Sequence, residues 1–141
     1  MTPTISIVTF VDAVGAISDE TLIGNLFMMD NSGFQSTYQG TANLCTFCYP
    51  GQRIHWVIYP VDVQTPVGIK NITFIPDNVV LEPVSSMGSD SEKLDLNIWS
   101  GYVPNYILPN KEYKYRLEIQ IYEGKKSVMY VDTPSLKWVK P

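Results

Sequence analysis

The sequence predicts an all-β fold: an antiparallel β-sandwich, immunoglobulin-like or jelly-roll-like, of about eight or nine strands. Three observations carry that expectation. Short runs rich in β-branched and aromatic residues recur along the chain, as in Ile5–Val11 and Arg53–Asp62. Turn signals such as Pro50-Gly51 and Pro109-Asn110 separate them. No segment keeps a helical period long enough for a full helix, and no repeat at propeller or solenoid spacing occurs. A length of 141 residues corresponds to one domain, spanning the whole chain.

Taken in order, Ile5–Val11 reads as a strand that is apolar on both faces. After Asp12, Ser18 with Thr21 nearby could cap one helical turn. Residues 23–29 form a second strand with Phe27 and Met29 on one face and Leu26 and Met28 on the other. Asp30-Asn31-Ser32-Gly33 turns it, residues 34–38 continue a hairpin, and Gly40 marks a break. Residues 41–49 form the next strand. Pro50-Gly51 leads into residues 53–62, which hold the sole histidine. There Ile54, Trp56 and Ile58 share one face, and Arg53, His55, Val57 and Tyr59 the other.

Residues 67–75 make a further strand. Residues 76–93 have little strand character, apart from a short edge strand at Val79-Val80-Leu81. Residues 94–99 alternate, with Leu94, Leu96 and Ile98 expected inward and Asp95, Asn97 and Trp99 outward, and Ser100-Gly101 ends the run. Residues 102–108 form an aromatic loop. Residues 113–123 alternate most regularly, with Tyr113, Tyr115, Leu117, Ile119 and Ile121 on one face. Glu123-Gly124-Lys125-Lys126 reads as a hairpin turn, residues 127–131 return, and residues 136–139 close the sheet.

Composition narrows the function classes. The formal net charge of −4 and pI of about 4.8 argue against nucleic acid and against an anionic membrane surface as partners. Lys111, Lys114, Arg116 and Lys125-Lys126 are interleaved with glutamates and read as a solvated strand face. No basic residue precedes the apolar N-terminal run, so it reads as a buried strand rather than a secretory leader, and a cytoplasmic location is expected. Cys45 and Cys48 sit three apart on a strand, hence on opposite faces, and read as structural thiols. Asp12, Asp30, Asp62 and Asp132 each follow an apolar strand. Turn chemistry explains them better than calcium ligation.

No nucleophile elbow, phosphate loop or paired metal histidines occur, so no enzyme, cofactor or metal is expected. A hydrolase would have to rest on His55 alone. A carbohydrate-binding module is the more concrete alternative. Trp99 beside Asp95 and Asn97 would stack on a sugar ring and pair with its hydroxyls, with Tyr102 and Tyr106 as further platforms. Strands apolar on both faces call for extra cover, by the long loop or by a second copy in a homodimer.

Several motifs together resemble the bacterial AidA/PixA inclusion-body protein family. They are Val11-Asp12-Ala13, Leu26-Phe27-Met28-Met29-Asp30-Asn31-x-Gly33, Gln39-Gly40-Thr41-Ala42-x-Leu44 and Gly51-Gln52-x-Ile54-x-Trp56-x-x-x-Pro60-Val61-Asp62. The closing strands, 113–121 and 129–134, fit as well, with Val131-Asp132-Thr133-Pro134 a small departure in order. The resemblance implies a small bacterial protein without catalytic activity. Some members accumulate as intracellular inclusions, and some are linked to virulence. It carries no catalytic motif to transfer.

Overall fold

The computed structural model describes residues 4–32, 36–61, 65–75, 92–95, 97–121 and 128–138. In chain order these give β1 (Ile5–Val11), α1 (Ala13–Asp19), β2 (Leu26–Asp30), β3 (Cys45–Cys48), β4 (Arg53–Pro60), β5 (Val67–Phe74), β6 (Glu92–Asp95), β7 (Ile98–Tyr102), β8 (Glu112–Ile121), β9 (Val128–Val131) and β10 (Ser135–Trp138). The all-β sandwich expected from the sequence is the observed class. One sheet runs β2-β1-β4-β7-β6 and the other β3-β10-β8-β5, with β9 also on β8.

Two pairings depart from an antiparallel plan: β1 lies parallel to β4, and β10 parallel to β3. Parallel neighbours need a crossover rather than a hairpin. The stretch between β1 and β4, which includes α1, β2 and β3, supplies the first. β9 and β10 lie along the same edge of β8 at its opposite ends. Between them the Pro134 carbonyl accepts from the Tyr115 amide at 3.0 Å, so the ladder continues across the bend.

The core forms where the inward residues of the two sheets meet. Ile5, Ile7, Ile54, Trp56 and Ile58 face Tyr113, Tyr115, Leu117, Ile119 and Ile121, all buried, at the parities the sequence set for β4 and β8. Trp56 and Tyr115 are the largest fully buried side chains. Their rings meet edge to face at 5.7 Å, and Trp56 Nε1 donates to Tyr115 Oη at 3.1 Å. Burial pushes the Tyr115 hydroxyl well above the ordinary phenol value, and the Trp56 hydrogen bond opposes this only in part. The group is therefore neutral at any physiological pH.

Local chemistry accounts for the ends. Gly51 at φ +80° follows Pro50, and the Gln52 amide donates to the Tyr49 carbonyl at 3.2 Å, as in a type II turn. The helix is capped by Asp12, whose carboxylate accepts from the Gly15 amide at 3.0 Å, not by Ser18. The strand expected over 23–29 starts only at Leu26, because Gly24 adopts φ +83° in the preceding turn. That expected over 41–49 is confined to Cys45–Cys48. Both cysteines are free and buried, and desolvation raises both thiols, Cys48 to about 12. Val79-Val80-Leu81, with the whole segment 76–91, and the hairpin turn at 123–126 lie outside the described residues, as does Gly33.

One expected strand is two. Residues 94–99 are split into the end of β6 and the start of β7, a hairpin pairing Lys93 with Trp99 and Asp95 with Ile98. The register shift between Lys93 and Asp95 breaks the alternation on which a common Asp95–Asn97–Trp99 face depended. Ser100-Gly101, expected to end the strand, lies inside β7.

Candidate functional site

The aromatic platform expected around Trp99 does not assemble. Trp99 is the register partner of Trp56, so it turns to the interior, where it is 9% exposed and part of the core. Asn97 occupies the turn before β7, and Asp95 ends β6. Tyr102 is exposed at the far end of β7 with the Arg53 guanidinium 5.8 Å from its ring centroid. Tyr106 is half-buried against Tyr113, with ring centroids 6.4 Å apart. The five residues therefore do not share one face.

The register instead brings a different set together on the outer face of the first sheet. Phe27, Phe10 and Tyr59 lie in one row across β2, β1 and β4. Met29, Val8, Val57 and Ile98 lie in the next row, across β2, β1, β4 and β7. The rings of Phe10 and Tyr59 touch at 5.9 Å. Phe27 and Met29 are each 39% exposed and Tyr59 45%, while Val8, Phe10, Val57 and Ile98 are half-buried. A sandwich normally wets its outer faces with polar side chains. Seven adjacent apolar side chains on one such face form a patch of the kind that marks an interaction surface.

Of these, sequence patterning singled out Phe27 and Met29 and noted that β1 was apolar on both faces. It missed Val57, Tyr59 and Ile98 as partners of that patch. Parity did place Val57 and Tyr59 opposite the core, but only the non-local β1–β4 pairing sets them beside Phe10 and Val8.

Polar residues occupy the continuation of this face. Ser6, His55 and Ser100 form the adjoining row. Arg53 Nε donates to Ser100 Oγ at 3.1 Å. His55 Nε2 is buried without a hydrogen-bond partner among the described residues. Desolvation, with the Arg53 charge second, lowers the His55 pKa from its ordinary value near 6.5. Between the ordinary and lowered values the unfolded chain binds more protons than the folded one. Stability is thus full above the ordinary imidazole value and falls as pH drops through the lowered one. Urea unfolding at neutral pH and at mildly acidic pH should show this loss in wild type and a shallower slope in His55→Gln. Equal slopes in both would mean that His55 is not the group responsible.

Three of the four acids expected to end strands, Asp12, Asp30 and Asp132, are engaged by their own chain, and Asp62 lies outside the described residues. Asp30 accepts from Thr46 Oγ1 at 2.8 Å and from the Ser32 amide at 3.0 Å. Asp132 holds Arg116 in a two-point ion pair. Among the described residues no group of three potential ligands is arranged to hold a metal ion, and no helix is long and apolar enough to cross a membrane.

Comparison with known proteins adds a family and a fold. A family model described as a domain of unknown function, DUF8788, matches residues 3–128. No curated protein matches the chain. Among solved structures, the chain is similar to the crystal structure of the inclusion body protein PixA from Burkholderia cenocepacia J2315. The TM-score is 0.60 at 9% identity, over 97% of this chain and 92% of that one. At that identity the likeness is one of fold, the level at which it agrees with the resemblance read from the motifs.

Proposed function

The chain belongs to the DUF8788 family of unknown function, and from that premise we propose that it is a non-enzymatic accessory protein that works by associating with copies of itself. The observation that carries this reading is the seven-residue apolar patch on the outer face of the first sheet. Covering such a face releases roughly 25 cal/mol per Å² of apolar surface. A two-fold pairing of like faces satisfies both copies at once. The low charge of the chain leaves little to oppose close approach. The fold neighbour is called an inclusion body protein, a name that fits a chain whose copies adhere to one another. Action toward a host, which the resemblance implies for some relatives, would be a use of such assemblies.

Sedimentation velocity at micromolar concentration tests this. Wild type should run as a dimer or larger, and Phe27→Asp with Val57→Asp as a monomer whose circular dichroism is unchanged. A wild type that stays monomeric throughout the micromolar range would overturn the reading.

A further inference from the structure

The outer face of the second sheet carries a different feature. A concavity of about 310 Å³ is lined by Thr73, Phe74, Ile75 and Arg116. That is the low end of the size range of small-molecule sites. Thr73 and Arg116 are register partners on β5 and β8. Phe74, whose ring lies 6.0 Å from that of Tyr115, is part of the lining as well. Ile75 is half-buried.

Arg116 is held from two directions. Its Nε and Nη2 donate to the two Asp132 carboxylate oxygens at 2.7 and 3.0 Å, and its Cζ lies 4.1 Å from the centroid of the Tyr130 ring. An ion pair alone at such an exposed position would contribute little to stability. Pair and stack together fix the plane of the guanidinium, and three of its five N–H donors are left unused by Asp132. A fixed donor edge on a concave surface is pre-organised for a ligand.

Charge selects the ligand class. Asp132 neutralises Arg116, and Glu118 also acts on the guanidinium, so the locality favours neutral acceptors over anions. The lining combines an apolar side chain, Ile75, with the polar side chains Thr73 and Arg116. A pyranose ring has this division, with C–H groups on its face and hydroxyls at its edge.

We propose that this concavity is a carbohydrate subsite for a single neutral sugar unit, with Arg116 and Thr73 pairing to its hydroxyls and Ile75 against its apolar face. It lies on the opposite sheet from the self-association patch and does not depend on it. The test is an amide-shift titration of the isotope-labelled full chain. The probes are the methyl glycosides of glucose, galactose, mannose and N-acetylglucosamine at millimolar concentration, with inorganic phosphate and acetate as anion probes. At least one glycoside should give saturable shifts at residues 73–75 and 116, and neither anion should. Thr73→Val and Arg116→Lys should each weaken that binding about tenfold, since both lose hydroxyl-matched geometry while keeping size or charge. Thr73→Val alone decides the matter if Arg116→Lys disturbs folding. The proposal is overturned if no glycoside saturates, if phosphate or acetate saturates the same amides, or if the folded variants bind as wild type does.

Discussion

Trp56→Ala should destabilise the fold by about 3–5 kcal/mol. Trp56 is 1% exposed, and its indole spans the interior from β4 to touch Tyr115 on β8. Truncation removes that contact and leaves a cavity where the two sheets meet. It also leaves Tyr115 Oη, in a fully buried residue, without its indole donor. The companion Tyr115→Phe retains nearly all the volume but orphans Trp56 Nε1, for about 1–3 kcal/mol. The double variant should then be less destabilised than the sum of the two singles, because one hydrogen bond is counted in both. Urea unfolding of the three variants measures this. Strict additivity would mean that the indole–phenol bond contributes nothing.

Gly15→Ala should destabilise the fold by about 1–3 kcal/mol, although alanine is the better helix former. A Cβ at position 15 would stand 2.4 Å from Asn25 Oδ1 and 2.8 Å from Asp12 Oδ2. Neither side chain is free to yield. Asp12 caps the helix through the Gly15 amide itself, and the Asn25 amide nitrogen is held by Asp19 and the Thr21 carbonyl. The substitution therefore breaks either the cap or the tie between α1 and the turn before β2. Thermal unfolding gives the sign, and a Tm at or above wild type would show that this corner relaxes freely.

How much of this was legible in the sequence depends on how local the cause was. β8 was legible because ten residues keep one alternation, and β4 because Pro50-Gly51 set its start and Pro60 its end. The hairpin between β6 and β7 was not. Its turn at Asn97 is marked by neither glycine nor proline in the sequence around it, so the apolar alternation runs through it unbroken. That one misreading turned Trp99 outward, and the expected sugar face fell with it. The apolar patch was half legible. Two-sided strands could be seen, but which strands are neighbours is fixed by a parallel pairing between distant segments, and that leaves no mark in a local window. The Arg116 concavity was hidden for the same reason: Thr73 and Asp132 flank Arg116 only once β5 and the end of β9 are in register with β8.

The parallel seam between β3 and β10 has a consequence in time. β3 enters the second sheet only through residues 135–138, a closure across most of the chain, and contacts so distant in sequence form slowly. Only with that strand in place does the Cys48 thiol have the Lys137 carbonyl to which it donates and the burial that raises its pKa and shields it. The two buried thiols therefore report on this seam, shielded from alkylation while it is shut and reachable only where it opens.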